Sequence, residues 1–177
     1  DSVRVLRPAD RDAATVCWQM AMENMETPTA LIFSRQNVKS LPEGTDYQQT
    51  RKGAYIVPGS DEQYDVILVA NGSEVSTCVA GAELLRKDGV KVRVVSAPSE
   101  GLFRRQSKEY QEQILPRDAK IFGLTAGLPV TLEGLVGANG KVFGLNSFGF
   151  SAPYTVLDEK LGFTPENVYK QVKAFLA

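Results

Sequence analysis

The run Val66-Ile67-Leu68-Val69-Ala70 constrains this chain more than any other stretch. Five consecutive apolar residues leave no polar side for water, so the strand they form must be covered on both faces. Asn71-Gly72 then turns the chain, Ser73 is placed to cap, and Glu74 falls at the positive end of a helix. Val75, Val79, Ala82 and Leu85 share one face of that helix. Arg86 and Lys87 occupy its last turn, and Gly89 ends it. Val92-Arg93-Val94-Val95 is the returning strand. A strand, a helix and a second strand of this kind form a right-handed crossover between parallel strands, so the fold class is α/β.

The flanking residues extend the same sheet. Ala54-Tyr55-Ile56-Val57 predicts a strand stopped by Pro58-Gly59, Ala119-Lys120-Ile121-Phe122 another, and residues 141–145 a fifth. Helices are predicted over 99–113, with Phe103 and Tyr110 inward, and over 131–137 and 154–160. A last helix starts at Thr164-Pro165-Glu166, with proline at its first position and Val168, Val172 and Phe175 on its inner face. Residues 54–177 therefore predict a five-stranded, mainly parallel (mixed) sheet between helices.

Upstream lies a smaller piece. Asp1-Ser2 leads straight into a predicted strand over Val3-Arg4-Val5-Leu6, which Arg7-Pro8 stops, so no signal peptide is expected. A helix from Ala9 or Asp10 to about Asn24 carries Ala13, Val16, Cys17, Met20 and Ala21 on one face. Asp10 and Asp12 favour the positive end of its dipole. After Thr27-Pro28, Thr29 begins a short buried strand with Ala30 to Phe33, ended by Ser34-Arg35-Gln36-Asn37. This truncated β-α-β piece of roughly 40 residues is too small to hold its own core. Residues 38–53, polar and carrying Pro42, Gly44, Gln48, Gln49 and Thr50, read as a linker crossing a surface.

Composition removes several function classes. Twenty basic against 21 acidic residues leave no field to attract nucleic acid or an anionic membrane. No apolar run approaches the roughly 18 residues of a membrane span. Cys17 and Cys78 stand alone, which disfavours disulfide and zinc and points to a reducing, cytoplasmic setting. The chain contains no histidine at all, the usual proton shuttle and commonest metal ligand. Alone, such a chain is a poor complete active site.

Four candidate sites remain. Asn71-Gly72-Ser73-Glu74 sits at a strand-to-helix turn of the kind that binds phosphate. It lacks a glycine-rich spacing, and Glu74 repels anions, so a plain capped turn is expected. Arg104, Arg105 and Lys108 share a helix with Glu100, Glu109 and Glu112, which makes a solvated surface. Ser147-Phe148-Gly149-Phe150-Ser151-Ala152-Pro153 has neither a histidine base nor a nucleophile elbow, and reads as a loop that packs or meets another domain or subunit. Arg35 lies past the carboxyl end of a strand, where open α/β sheets place ligands. Its planar, permanent charge suits a phosphate or carboxylate there, although a surface arginine after a strand is common.

Six segments in order and spacing give the chain a resemblance to the C-terminal part of transketolase. They are Arg7-Pro8-Ala9-Asp10, Ser34-Arg35-Gln36-Asn37, Ala70-Asn71-Gly72-Ser73-Glu74-Val75, Val92-Arg93-Val94-Val95-Ser96, Phe148-Gly149-Phe150-Ser151-Ala152-Pro153 and Leu161-Gly162-Phe163-Thr164. Ala13 departs from the family, which usually has Glu there. The resemblance implies an enzyme that uses thiamine diphosphate and Mg2+ (or Ca2+) to move a two-carbon ketol unit from a ketose phosphate to an aldose phosphate. It implies residues 1–37 as the tail of the pyrimidine-binding domain, 38–53 as linker and 54–177 as the C-terminal domain, in a homodimer. It implies Arg35 as the group that binds the sugar's terminal phosphate. The family's metal-binding Gly-Asp-Gly, its activating Glu and its catalytic histidines are not in this stretch. The chain is thus expected to be an engineered or proteolytic piece of a longer protein, inactive alone and binding no cofactor. Two alternatives stay open: the equivalent domain of another thiamine-diphosphate enzyme, or a free-standing flavodoxin-like binding or regulatory module.

Overall fold

Alternate residues of the central strand go to opposite sides of one sheet. In the computed structural model, which describes residues 2–177, β4 (Val66–Ala70) has every residue buried. Val66, Leu68 and Ala70 enter one apolar cluster, and Ile67 and Val69 enter another. Asp1, at the head of the predicted first strand, lies outside the described residues.

Around β4 the strand order is β3-β5-β4-β6-β7, with β3 (Tyr55–Ile56), β5 (Val92–Ser96), β6 (Ile121–Leu124) and β7 (Lys141–Phe143). Only β3 runs antiparallel to its neighbour. The expected five-stranded, mainly parallel sheet is therefore present. Helices α2 (Glu74–Lys87) and α7 (Pro165–Leu176) cover one face. The other is covered from α3 (Glu100–Arg104), α4 (Lys108–Ile114) and α5 (Val130–Val136). A further helix, α6 (Tyr154–Leu161), leans its last residue on the first cluster.

The predicted helix over 99–113 is two helices. Ser107 accepts the Tyr110 N–H at 3.2 Å and starts α4 as its N-cap. The Gln111 side chain donates to the carbonyls of Arg104 and Gln106 at 3.0 and 2.8 Å, which satisfies the broken end of α3. Phe103 and Tyr110 still face inward, in T-shaped contact at 6.3 Å.

The upstream piece forms a two-stranded parallel sheet of β1 (Arg4–Leu6) and β2 (Thr29–Leu31), linked by α1 (Arg11–Glu23). The predicted strand is shorter and barer than expected. Ile32 and Phe33 are 46% and 49% exposed, because β2 has one strand partner and cover on one side only. Trp18 of α1 stacks on Phe33 with ring centroids 6.2 Å apart.

Backbone and side-chain bonds tie the two sheets together. The Arg7 N–H donates to the Pro98 carbonyl (2.8 Å), and the Gly72 N–H donates to the Arg7 carbonyl (3.2 Å). Residues 38–53 do more than cross a surface. Leu41 and Thr50 are buried, residues 47–52 form a 3-10 helix, and Asp10 binds this segment at two points. Gly53 closes the segment at φ +85°, so near the Phe103 nitrogen and Ser99 carbonyl that a Cβ there would lie 2.3–2.4 Å from them. Only glycine fits that approach.

Candidate functional site

In an open sheet of this topology, the ligand crevice lies beyond the carboxyl ends of the strands where the winding reverses, here between β4 and β6. Arg7-Pro8-Ala9 occupies it. Ala9 is buried in the first cluster, and the Arg7 guanidinium reaches the Thr125 hydroxyl at 3.5 Å. The crevice that a flavodoxin-like binding module would use is thus filled by the chain itself.

The open space lies to one side of that plug. After β2 the Ile32 N–H makes one more ladder bond, to the Leu6 carbonyl (2.9 Å), and the chain then leaves the sheet. Arg35 projects from this strand tip. It is exposed, and no hydrogen-bond or ion-pair partner holds it among the described residues. It lines a hollow of about 710 Å³ together with Arg7, Gln36, Ser73, Glu74 and the loop before α6. A free guanidinium at the rim of such a hollow can fork two N–H groups onto a phosphate.

Opposite Arg35 the wall is built from the β4–α2 turn. Ser73 was expected to cap α2, but it has helical backbone angles (φ −59°, ψ −26°) and makes no capping bond. Its hydroxyl instead donates to Glu74 Oε1 at 2.8 Å and accepts from Gln36 Nε2 at 3.4 Å. Glu74 is buried, and desolvation pushes its carboxyl above the usual range. The Ser73 hydroxyl, the Arg7 charge and the Ala126 N–H act in the opposite direction. The Arg7 charge beside Glu74 offsets part of the repulsion expected between this carboxylate and an anion.

The loop 147–153 supplies the outer wall. Gly149 through Pro153 line the same hollow, and the Lys160 ammonium sits 4.9 Å from the Phe150 ring. Phe148 is 97% exposed, so the loop does not pack into either apolar cluster.

The other candidates lie elsewhere. Arg104 pairs with Glu100 at 2.6 Å on the outer side of α3, as expected of a solvated face. It borders a second hollow of about 680 Å³ on the far side of Arg7, which opens beside the exposed Val3 and Val5. Both thiols are buried, and burial alone pushes Cys17 up to about 12, so it carries no thiolate near neutral pH. Among the described residues no three His, Cys, Asp or Glu side chains gather as a metal site. Nor is any helix there long and apolar enough to cross a membrane.

Sequence reasoning did not bring Gln36 together with Ser73 and Glu74 around one hollow. Their apposition depends on how the small sheet docks, and the only signal was that both segments lie at strand ends of the same hand.

The comparisons with known proteins agree with this architecture. The profile of the family described as transketolase-like TK C-terminal domain matches residues 53–164. A transketolase of Staphylococcus epidermidis is 43% identical over 176 residues, which is 98% of this chain and 27% of the relative. A Pichia stipitis transketolase crystallised with sedoheptulose 7-phosphate superposes with a TM-score of 0.91 at 32% identity, over 99% of this chain and 25% of that one. A transketolase from Leishmania mexicana matches with the same TM-score, identity and coverage. The chain spans about a quarter of the length of these relatives. It belongs to the transketolase family, of which it is a C-terminal portion.

Proposed function

We propose that this chain is the phosphate-recognising end of an enzyme that transfers a two-carbon ketol unit from a ketose phosphate to an aldose phosphate. In this reading residues 1–37 close a pyrimidine-binding domain, 38–53 link, and 54–177 form the C-terminal domain. Thiamine diphosphate and a divalent cation supply the carbanion chemistry, held by parts of the protein outside this chain and, in a homodimer, by its partner. The pathway is that of the pentose phosphates, and the buried, protonated thiols suit a reducing cytoplasm.

One observation carries the reading: the guanidinium of Arg35, unpartnered among the described residues, at a strand tip on the rim of a hollow. A sugar held there by its terminal phosphate leaves its keto end free to reach a cofactor beyond the chain. The Pichia stipitis relative crystallised with sedoheptulose 7-phosphate supports a phosphorylated ketose as substrate class. The plugged crevice between β4 and β6 argues against a free-standing nucleotide-binding module.

Steady-state kinetics of the full-length enzyme test this. Arg35→Ala removes a charge-assisted hydrogen bond of about 1.5–3 kcal/mol, so the KM for xylulose 5-phosphate rises about 10–100-fold while kcat changes little. Unphosphorylated xylulose is handled as before. A KM within about twofold of the parent's would remove Arg35 from the site. Residues 2–177 alone, given thiamine diphosphate and magnesium, are expected to turn over no ketose phosphate.

A further inference from the structure

We propose that Ser73 and Gln36 are positioning residues for Arg35: the β4–α2 turn grips the loop after β2 and fixes where the guanidinium points. The inference rests on the reading of Arg35 as the phosphate ligand and gives the five-stranded unit a part in substrate affinity.

The geometry forms a relay. Gln36, next in sequence to Arg35, donates from Nε2 to Ser73 Oγ at 3.4 Å. That hydroxyl passes its own proton donation to Glu74 Oε1 at 2.8 Å. Glu74 is only 7% exposed and is anchored by the Ala126 N–H and the charge of Arg7. The relay thus ends on a fixed point of the larger unit. On the other side, the loop after β2 has little else to hold it. Its ladder bonding stops at Ile32, and residues 32–35 are all exposed. A flexible arginine on such a loop spreads over many orientations, and binding must then order it at an entropic cost. A tether on the adjacent residue removes part of that cost before the sugar arrives.

Ser73 is also freed for this task. It lies where a capping hydroxyl is expected, yet that hydroxyl accepts no backbone N–H from the first turn of α2 and bonds to the Glu74 and Gln36 side chains instead. A role confined to helix capping does not explain that choice of partners, whereas a bridge between two loops does.

The test is kinetic, in the full-length enzyme, with xylulose 5-phosphate and unphosphorylated xylulose as paired donors. Ser73→Ala and Gln36→Ala are each expected to raise the KM for the phosphorylated donor about 3–10-fold, with kcat and the unphosphorylated donor moved less than about twofold. The double variant is expected to be no worse than either single one, because both cut one relay. Ser73→Thr, which keeps the hydroxyl, restores the parent KM. Equal losses on both donors, or additive losses in the double variant, would show a merely structural role and overturn the proposal. Arg35→Ala runs alongside. If it leaves the preference for the phosphorylated donor intact, the reading of Arg35 itself fails. If it abolishes that preference while Ser73→Ala and Gln36→Ala do nothing, only the positioning inference fails.

Discussion

Asp10 shows how much one buried carboxylate can organise. It is 3% exposed and accepts three bonds: from the Ala13 N–H at 2.9 Å, from the Leu41 N–H at 2.8 Å and from the Tyr47 hydroxyl at 2.6 Å. The first is an ordinary N-cap, worth about 1 kcal/mol. The other two join α1 to residues 38–53, and losing them strands two donors at about 1–3 kcal/mol each. Asp10→Ala is therefore expected to cost roughly 3–7 kcal/mol, read as a lower urea midpoint at unchanged slope. A loss below about 1 kcal/mol would mean that Asp10 only caps α1. The sequence placed an acidic residue at the helix start. It could not display the two distant donors, because Leu41 and Tyr47 lie 31 and 37 residues away. That Arg35 lies past a strand end was legible for the opposite reason, since this position follows from the local end of β2.

With one exception the elements sort by whether their signals were local. The all-apolar run of β4 and the Thr164-Pro165 start of α7 were readable, because burial on two faces and a proline-led cap each leave a mark within a few residues. The break between α3 and α4 was missed although its mark is also local: Ser107 caps Tyr110 three residues on, and Gln111 clasps carbonyls five and seven residues back. The contact between α2 and α7 was not readable. Gly81, in the middle of α2, lets Val168 approach so closely that an added Cβ would lie 2.7 Å from Val168 Cγ1. Alanine at 81 gains about 1 kcal/mol of helix propensity but overpacks the interface by about 1–3 kcal/mol. Gly81→Ala is expected to lower stability, and Val168→Ala added to it to recover part of the loss. The two effects must therefore be non-additive in chemical denaturation. Additive losses would show that the helices yield at Gly81 without cost.

At the scale of the whole molecule, the two sheets differ in how complete they are. The five-stranded sheet has both faces covered. The two-stranded one leaves Val3, Val5, Trp18, Met22, Ile32 and Phe33 exposed, all on the upstream piece. A parallel pair with bare edges and an apolar surface is a surface for more protein. That fits a chain matching about a quarter of its relatives. Arg35 stands at the seam between this unfinished piece and the finished one, with walls from both. The direct test of that placement is a crystal structure of the full-length enzyme with xylulose 5-phosphate. The Arg35 guanidinium is expected in a forked contact with the terminal phosphate, N to O about 2.7–2.9 Å, with Gln36 still on Ser73. A phosphate bound out of reach of Arg35, or Arg35 locked onto an acidic side chain from elsewhere in the assembly, would contradict it.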